Sequence, residues 1–85
     1  MAIVWKDTKY STFRASLARG MDIAIGYEAL REVPSGEPRW NVFVFGQRLE
    51  QREATPEAAR VRAETVAEEW LNEALSNFER DIDHE

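Results

Sequence analysis

The sequence predicts an α+β fold in which a three-stranded antiparallel meander packs on one long C-terminal helix, in the order β-β-β-α. Three segments in the first half alternate between apolar and polar residues, as strands do. Residues 58–78 contain neither Gly nor Pro, which favours an uninterrupted helix. We expect a single domain over residues 1–85, with the sheet in 2–50, the helix in 55–80 and a frayed acidic tail in 81–85.

The first two segments predict a hairpin. Residues 13–18 and 22–28 alternate, and Gly20 between them favours a tight turn because glycine adopts positive φ at little cost. The residues expected on the core face are Phe13, Ala15, Leu17, Ile23, Ile25 and Tyr27. Residues 29–33 are expected to extend the second strand, and the apolar residues 2–6 predict either an extra edge strand or an ordered tail.

The third segment, residues 39–46, is the clearest strand. Residues 34–38 before it contain two prolines and a glycine and predict a loop. Trp40, Val42 and Val44 are expected on one face, with Phe43 and Phe45 on the other. Because both faces are apolar, the segment predicts a central strand or one whose second face meets a partner.

The helix has a well-defined start at Thr55, whose hydroxyl can cap the first turn, followed by Pro56, which suits the first helical position. Its apolar stripe consists of Ala59, Ala63, Val66, Ala67, Trp70, Ala74 and Phe78, widened by Leu71, Leu75 and Ile82. Trp70 is the expected anchor on the sheet. Residues 56–80 would form a helix about 37 Å long, whereas strands of this size span only about 20–27 Å. The last turns are therefore expected either to cross the sheet diagonally or to extend past it.

Charge is distributed unevenly along the chain. Residues 1–52 contain eight Lys or Arg against six Asp or Glu, whereas residues 53–85 contain three against ten. The acidic surface disfavours sequence-independent binding of nucleic acid. No segment has the length and hydropathy of a membrane span, and there is no cysteine, so we expect a cytoplasmic protein without disulfides or thiolate metal sites.

The residues needed for catalysis are scarce. His84, the one histidine, lies in the charged tail, and no serine has a histidine partner in view. Glutamates one helical turn apart, such as Glu64 and Glu68, are typical of a solvated helix face and would hold a cation weakly. The glycines are scattered and form no phosphate-binding motif. We therefore expect no enzyme, no catalytic or metal site, and no cofactor.

The sheet and the end of the helix carry more apolar residues than so small a monomer can bury. This suggests a non-enzymatic interaction module that forms a homodimer or binds another protein. Its candidate surface comprises Phe43, Phe45, Leu71, Leu75 and Phe78. The size and composition resemble those of short accessory proteins of bacterial and prophage genomes, but the motifs assign the chain to no family.

The alternative hypothesis is a regulator of a nucleic-acid process. Such a protein would bind nucleic acid through the sheet at Arg14, Arg39 and Arg48, beside the exposed aromatic residues. A second form of this hypothesis has the acidic helix occupy a basic site on a partner. The sequence leaves the two forms open.

Overall fold

The computed structural model describes residues 3–8, 11–28 and 39–83, with side chains described as far as residue 79. An antiparallel sheet of five strands packs on one C-terminal helix, which confirms the predicted fold class. In chain order the elements are β1 (Lys6–Thr8), β2 (Thr12–Ala18), β3 (Met21–Tyr27), β4 (Trp40–Val44), β5 (Gln47–Arg48) and α1 (Pro56–Asp83). The strands are ordered β1-β2-β3-β4-β5, so each pairs with its neighbour in sequence.

The edge strands differ from the prediction. The N-terminal strand begins at Lys6, where the predicted strand ends, and β5 was not predicted at all. β5 is short because the chain turns back at Phe45 and Gly46, both with positive φ, and pairs with the end of β4. The segment after β5 still follows β4, and reciprocal backbone hydrogen bonds of 2.9 and 3.0 Å join Glu53 to Trp40. Residues 29–38, 84 and 85, with the predicted strand extension, loop and histidine, lie outside the described residues.

The hairpin of β2 and β3 forms as predicted. Gly20 has a φ of 75°, which a residue with a side chain rarely adopts. Ala15, Ile23 and Ile25 are buried on the core face, with Phe13 and Leu17 half-buried around them. Tyr27, however, is exposed at the end of β3 and meets Trp40 edge-on, with the ring centroids 5.3 Å apart.

The helix begins where the sequence predicts. The hydroxyl of Thr55 accepts a 3.1 Å hydrogen bond from the backbone N–H of Ala58, so Thr55 is the N-cap, and Pro56 is the first helical residue. The helix continues to Asp83, three residues beyond the predicted end, and so includes part of the expected frayed tail. None of the described helices is long and apolar enough to cross a membrane.

Three alanines form the contact between helix and sheet. Ala59, Ala63 and Ala67 are at most 1% exposed. They pack on the four fully buried side chains of β3 and β4, which are Ile23, Ile25, Val42 and Val44. Small side chains let the helix backbone approach the sheet closely. Trp70, the expected anchor, is only half-buried and lies at the end of this contact, with its ring centroid 6.0 Å from that of Phe45.

The helix lies over β3 and β4, so other groups cover the β1–β2 side of the core. The indole N–H of Trp5 donates a 2.7 Å hydrogen bond to the Glu64 carboxylate, which fixes the N-terminal segment to the helix. The guanidinium of Arg60 lies 5.0 Å from the ring centroid of Phe13, a cation–π contact. The remaining half of the core is therefore closed by long side chains.

We expect Ala63→Leu to destabilise the protein by about 1–3 kcal/mol, because the added carbons have no room between the helix and the sheet. Ala74→Leu is the matched control, since Ala74 lies on the same helix but is exposed; we expect a change within about 0.5 kcal/mol. Urea unfolding at dilute protein concentration measures both. Equal free energies of unfolding for the two variants would contradict the close alanine contact.

Candidate interaction surfaces

The helix extends well past the sheet. Among the side chains described, which reach residue 79, Ala67 is the last buried residue of α1, and Trp70 makes the last ring contact of these with the sheet, at Phe45 just after β4. From residue 72 to residue 79 every side chain is exposed. We call residues 71–83 the helix overhang; at 1.5 Å per residue it is about 20 Å long.

Apolar residues form a stripe along this overhang. Leu75 is 58% exposed and Phe78 is 67% exposed, while Leu71 at the base is half-buried. The intervals of four and three residues place all three on one side of the helix. The structure thus brings the three helical residues of the predicted interaction surface together on one strip, away from the core.

The two phenylalanines of the predicted surface differ in their ring contacts. β4 ends at Val44, and Phe45 lies in the following turn with a φ of 52°, which breaks the strand alternation. Its ring meets Trp70 of the helix instead. Phe43 remains on the face of the sheet opposite the helix, which we call the open face. The strand alternation expected to place Phe43 and Phe45 on one face therefore ends at Val44, although both residues line one groove.

Phe43 covers a glycine on the neighbouring strand. A Cβ atom placed on Gly26 would lie 4.0 Å from the Phe43 ring and 3.2 Å from the methyl group of Thr12. The hydroxyl groups of Thr12 and Thr8 are hydrogen-bonded to each other, which holds that methyl group in place. The glycine therefore makes room for the Thr12 methyl group, whereas the Phe43 ring lies at an ordinary van der Waals distance.

The register of the sheet places basic residues on both sides of Phe43. Cross-strand pairing aligns Lys6 with Arg14, Arg14 with Ala24, Ala24 with Phe43, and Phe43 with Arg48. Partners in an antiparallel ladder point to the same side of a sheet. These five residues therefore form one row across the open face, which we call the basic row.

Arg14 and Arg48 of the predicted nucleic-acid contacts belong to this row, but Arg39 does not. Arg39 precedes β4, is half-buried, and its carbonyl accepts a 2.9 Å hydrogen bond from the N–H of Glu28. Lys6 is the member that sequence reasoning missed. Its alignment with Arg14 depends on the β1–β2 register, which no residue pattern in the chain indicates.

A cluster of three polar side chains, Glu28, Asn41 and Arg52, lies at one end of the sheet. Arg52 forms a 3.1 Å ion pair with Glu28, and its Nε donates a 3.0 Å hydrogen bond to the side-chain oxygen of Asn41. Asn41 in turn donates to Glu28 at 3.0 Å. The three side chains satisfy one another, so this cluster ties the segment before the helix to β3 and β4. Within the described residues no group of three or more His, Cys, Asp or Glu is placed to hold a metal ion.

Comparisons of the chain with protein-family models, with curated proteins and with solved structures found no match. The interaction surfaces must therefore be interpreted from their own chemistry.

We expect Gly26→Ala to destabilise the protein by about 1 kcal/mol, because the new Cβ presses on the Thr12 methyl group. Thr12→Ser removes that methyl group and keeps the hydroxyl, so Gly26→Ala made in the Thr12→Ser background should cost nothing. Thermal or urea unfolding of the four proteins gives the comparison. An equal cost in both backgrounds would contradict the packing described for the open face.

Proposed function

We propose that the protein is a non-enzymatic interaction module that associates with a second copy of itself through the helix overhang. The observation that supports this most directly is the apolar stripe of Leu71, Leu75 and Phe78, the last two exposed, on a helix that continues after its contact with the sheet has ended. Side chains that are apolar, aligned and exposed gain free energy when a partner covers them.

The spacing of the stripe favours another helix as the partner. Intervals of four and three residues are those of a two-helix seam, in which side chains of one helix fill gaps on the other. The sequence continues the pattern at Ile82, one interval further along the helix. A narrow stripe of this kind suits one facing helix better than a flat sheet.

The charges beside the stripe favour an antiparallel pair of identical helices. Asn72 and Ala74 flank the stripe near its base and carry no charge, whereas Glu79 flanks it near its tip. Antiparallel pairing sets the tip of one overhang against the base of the other and keeps the two Glu79 carboxylates apart. It also places the two sheets at opposite ends, and the patch is self-complementary, as a two-fold dimer requires.

The overhang is short, which limits the affinity. Standard interfaces bury about 800 Å² on each partner, and a helix segment about 20 Å long offers less. We therefore expect dissociation constants in the micromolar range, with dimers forming reversibly as concentration rises.

Sedimentation velocity between about 5 and 500 µM tests this proposal. The parent protein should shift from monomer to dimer, because the stripe is covered only in the dimer. Leu75→Ser and Phe78→Ser should each shift the dissociation constant by about tenfold or more while leaving the melting temperature of dilute protein almost unchanged, since both side chains are exposed.

Val61→Ser is the matched control. Val61 lies on the same helix and is 64% exposed, close to the values for Leu75 and Phe78, but it lies outside the overhang. It should leave the dissociation constant unchanged. A monomer throughout the concentration range, or an equal effect of Val61→Ser, would disprove self-association through the overhang.

A further inference from the structure

The basic row is a second surface, on the opposite side of the sheet from the helix. Arg48 pairs with Phe43 on one side, Arg14 and Lys6 lie beyond Ala24 on the other, and all three cations are exposed. With neighbouring strands about 4.8 Å apart, the row extends about 19 Å from Lys6 to Arg48. A groove of about 720 Å³ lies over the middle of the row, with Arg14, Ala24, Phe43, Thr8, Thr12 and Asp22 among its lining residues.

The cations of this row lack carboxylate partners among the described residues. None of Lys6, Arg14 and Arg48 forms an ion pair there, and the nearest acidic residue of β3 on the same face, Asp22, pairs in register with Ser16 instead. Lys6 and Arg14 stand directly opposite each other, an arrangement of like charges that destabilises a sheet. A bound anion would reverse this repulsion.

The acidic helix does not cancel this charge. It covers the other face of the sheet, and its diameter of about 10–12 Å places its outward carboxylates farther from the open face than the Debye length of about 8–10 Å at moderate salt. The open face is therefore locally basic although the net charge of the whole chain is negative.

We propose that the basic row binds single-stranded nucleic acid, with Phe43 stacking on a base and the three cations contacting phosphates. Phosphates complement cations that form no ion pair within the described residues, and bases complement the half-buried aromatic ring beside them, which is how single strands are bound without sequence preference. A shallow, broad sheet face suits an unpaired strand, whose bases are free to turn towards the protein, better than a duplex, whose bases are stacked inside.

Fluorescence anisotropy with labelled 12-nucleotide oligo(dT) and oligo(U), at protein concentrations where the parent is monomeric, tests the proposal. We expect binding at about 50 mM salt that weakens as salt rises, with a log–log slope near −2, because about 0.7 counterions are released per phosphate contact on a single strand. Working with monomer separates this result from the self-association of the overhang.

The variants separate stacking from charge. Phe43→Leu keeps Gly26 covered but removes the aromatic ring, so affinity should fall about fivefold or more with the salt slope unchanged. Arg48→Gln and Lys6→Gln should each weaken binding and reduce the magnitude of the slope by about 0.7. Arg62→Gln, the matched control on the exposed side of the helix, should change neither.

Competition by poly-glutamate distinguishes a nucleic acid from an acidic protein as the ligand, since poly-glutamate carries negative charge but no bases. It should compete far less well than unlabelled oligo(dT). Absence of oligonucleotide binding at 50 mM salt would overturn the proposal. So would equal competition by poly-glutamate, which would indicate an acidic protein as the ligand, or loss of binding in Arg62→Gln.

Discussion

The close contact between the three alanines of the helix and the aliphatic centre of the sheet determines the rest of the structure. Ala59, Ala63 and Ala67 occupy the middle of an interface with β3 and β4, and no polar residue is fully buried among the described residues. The buried residues of the helix extend over only a few turns, from Ala59 to Ala67. The helix has 28 residues, so a large part of it has no sheet to pack on.

Two surfaces follow from this arrangement, one on each side of the sheet. The helix that covers the core face carries eight of the sixteen Asp and Glu residues away from the open face, and within the described part of the chain Lys6, Arg14 and Arg48 form no ion pair. The same helix presents its apolar stripe beyond the sheet. The surfaces are spatially separate, so a dimer joined by the overhangs would leave both basic rows accessible. Such a dimer would carry two surfaces for single-stranded nucleic acid. A nucleic-acid strand long enough to reach both surfaces would bind the dimer more tightly than it binds one surface alone.

Local patterns in the sequence predicted the parts of the fold that depend on neighbouring residues. The cap at Thr55, the turn at Gly20 and the alternation of β2, β3 and β4 each depend on residues a few positions apart. β5 was missed because two residues are too few to show the alternation of apolar and polar residues that marks a strand. Phe45 was misplaced because a turn after Val44 interrupts that alternation. The basic row depends on the register of four strand pairs, and Lys6 joins it only through β1. Long-range register of this kind is set by packing and turn geometry, and no single segment contains it.

The chain has no cysteine, so one introduced cysteine can carry a spin label at a single known position. Asn77 is exposed within the overhang, and Asn77→Cys lies close to the centre of the proposed antiparallel pair. Double electron–electron resonance of the labelled protein at high micromolar concentration measures the distance between the two copies. Helix axes about 8–10 Å apart predict a single distance of roughly 20–30 Å between labels, which disappears when Leu75→Ser is added. Absence of dipolar coupling, or a distance beyond about 50 Å, would show that two copies do not meet where the helix leaves the sheet.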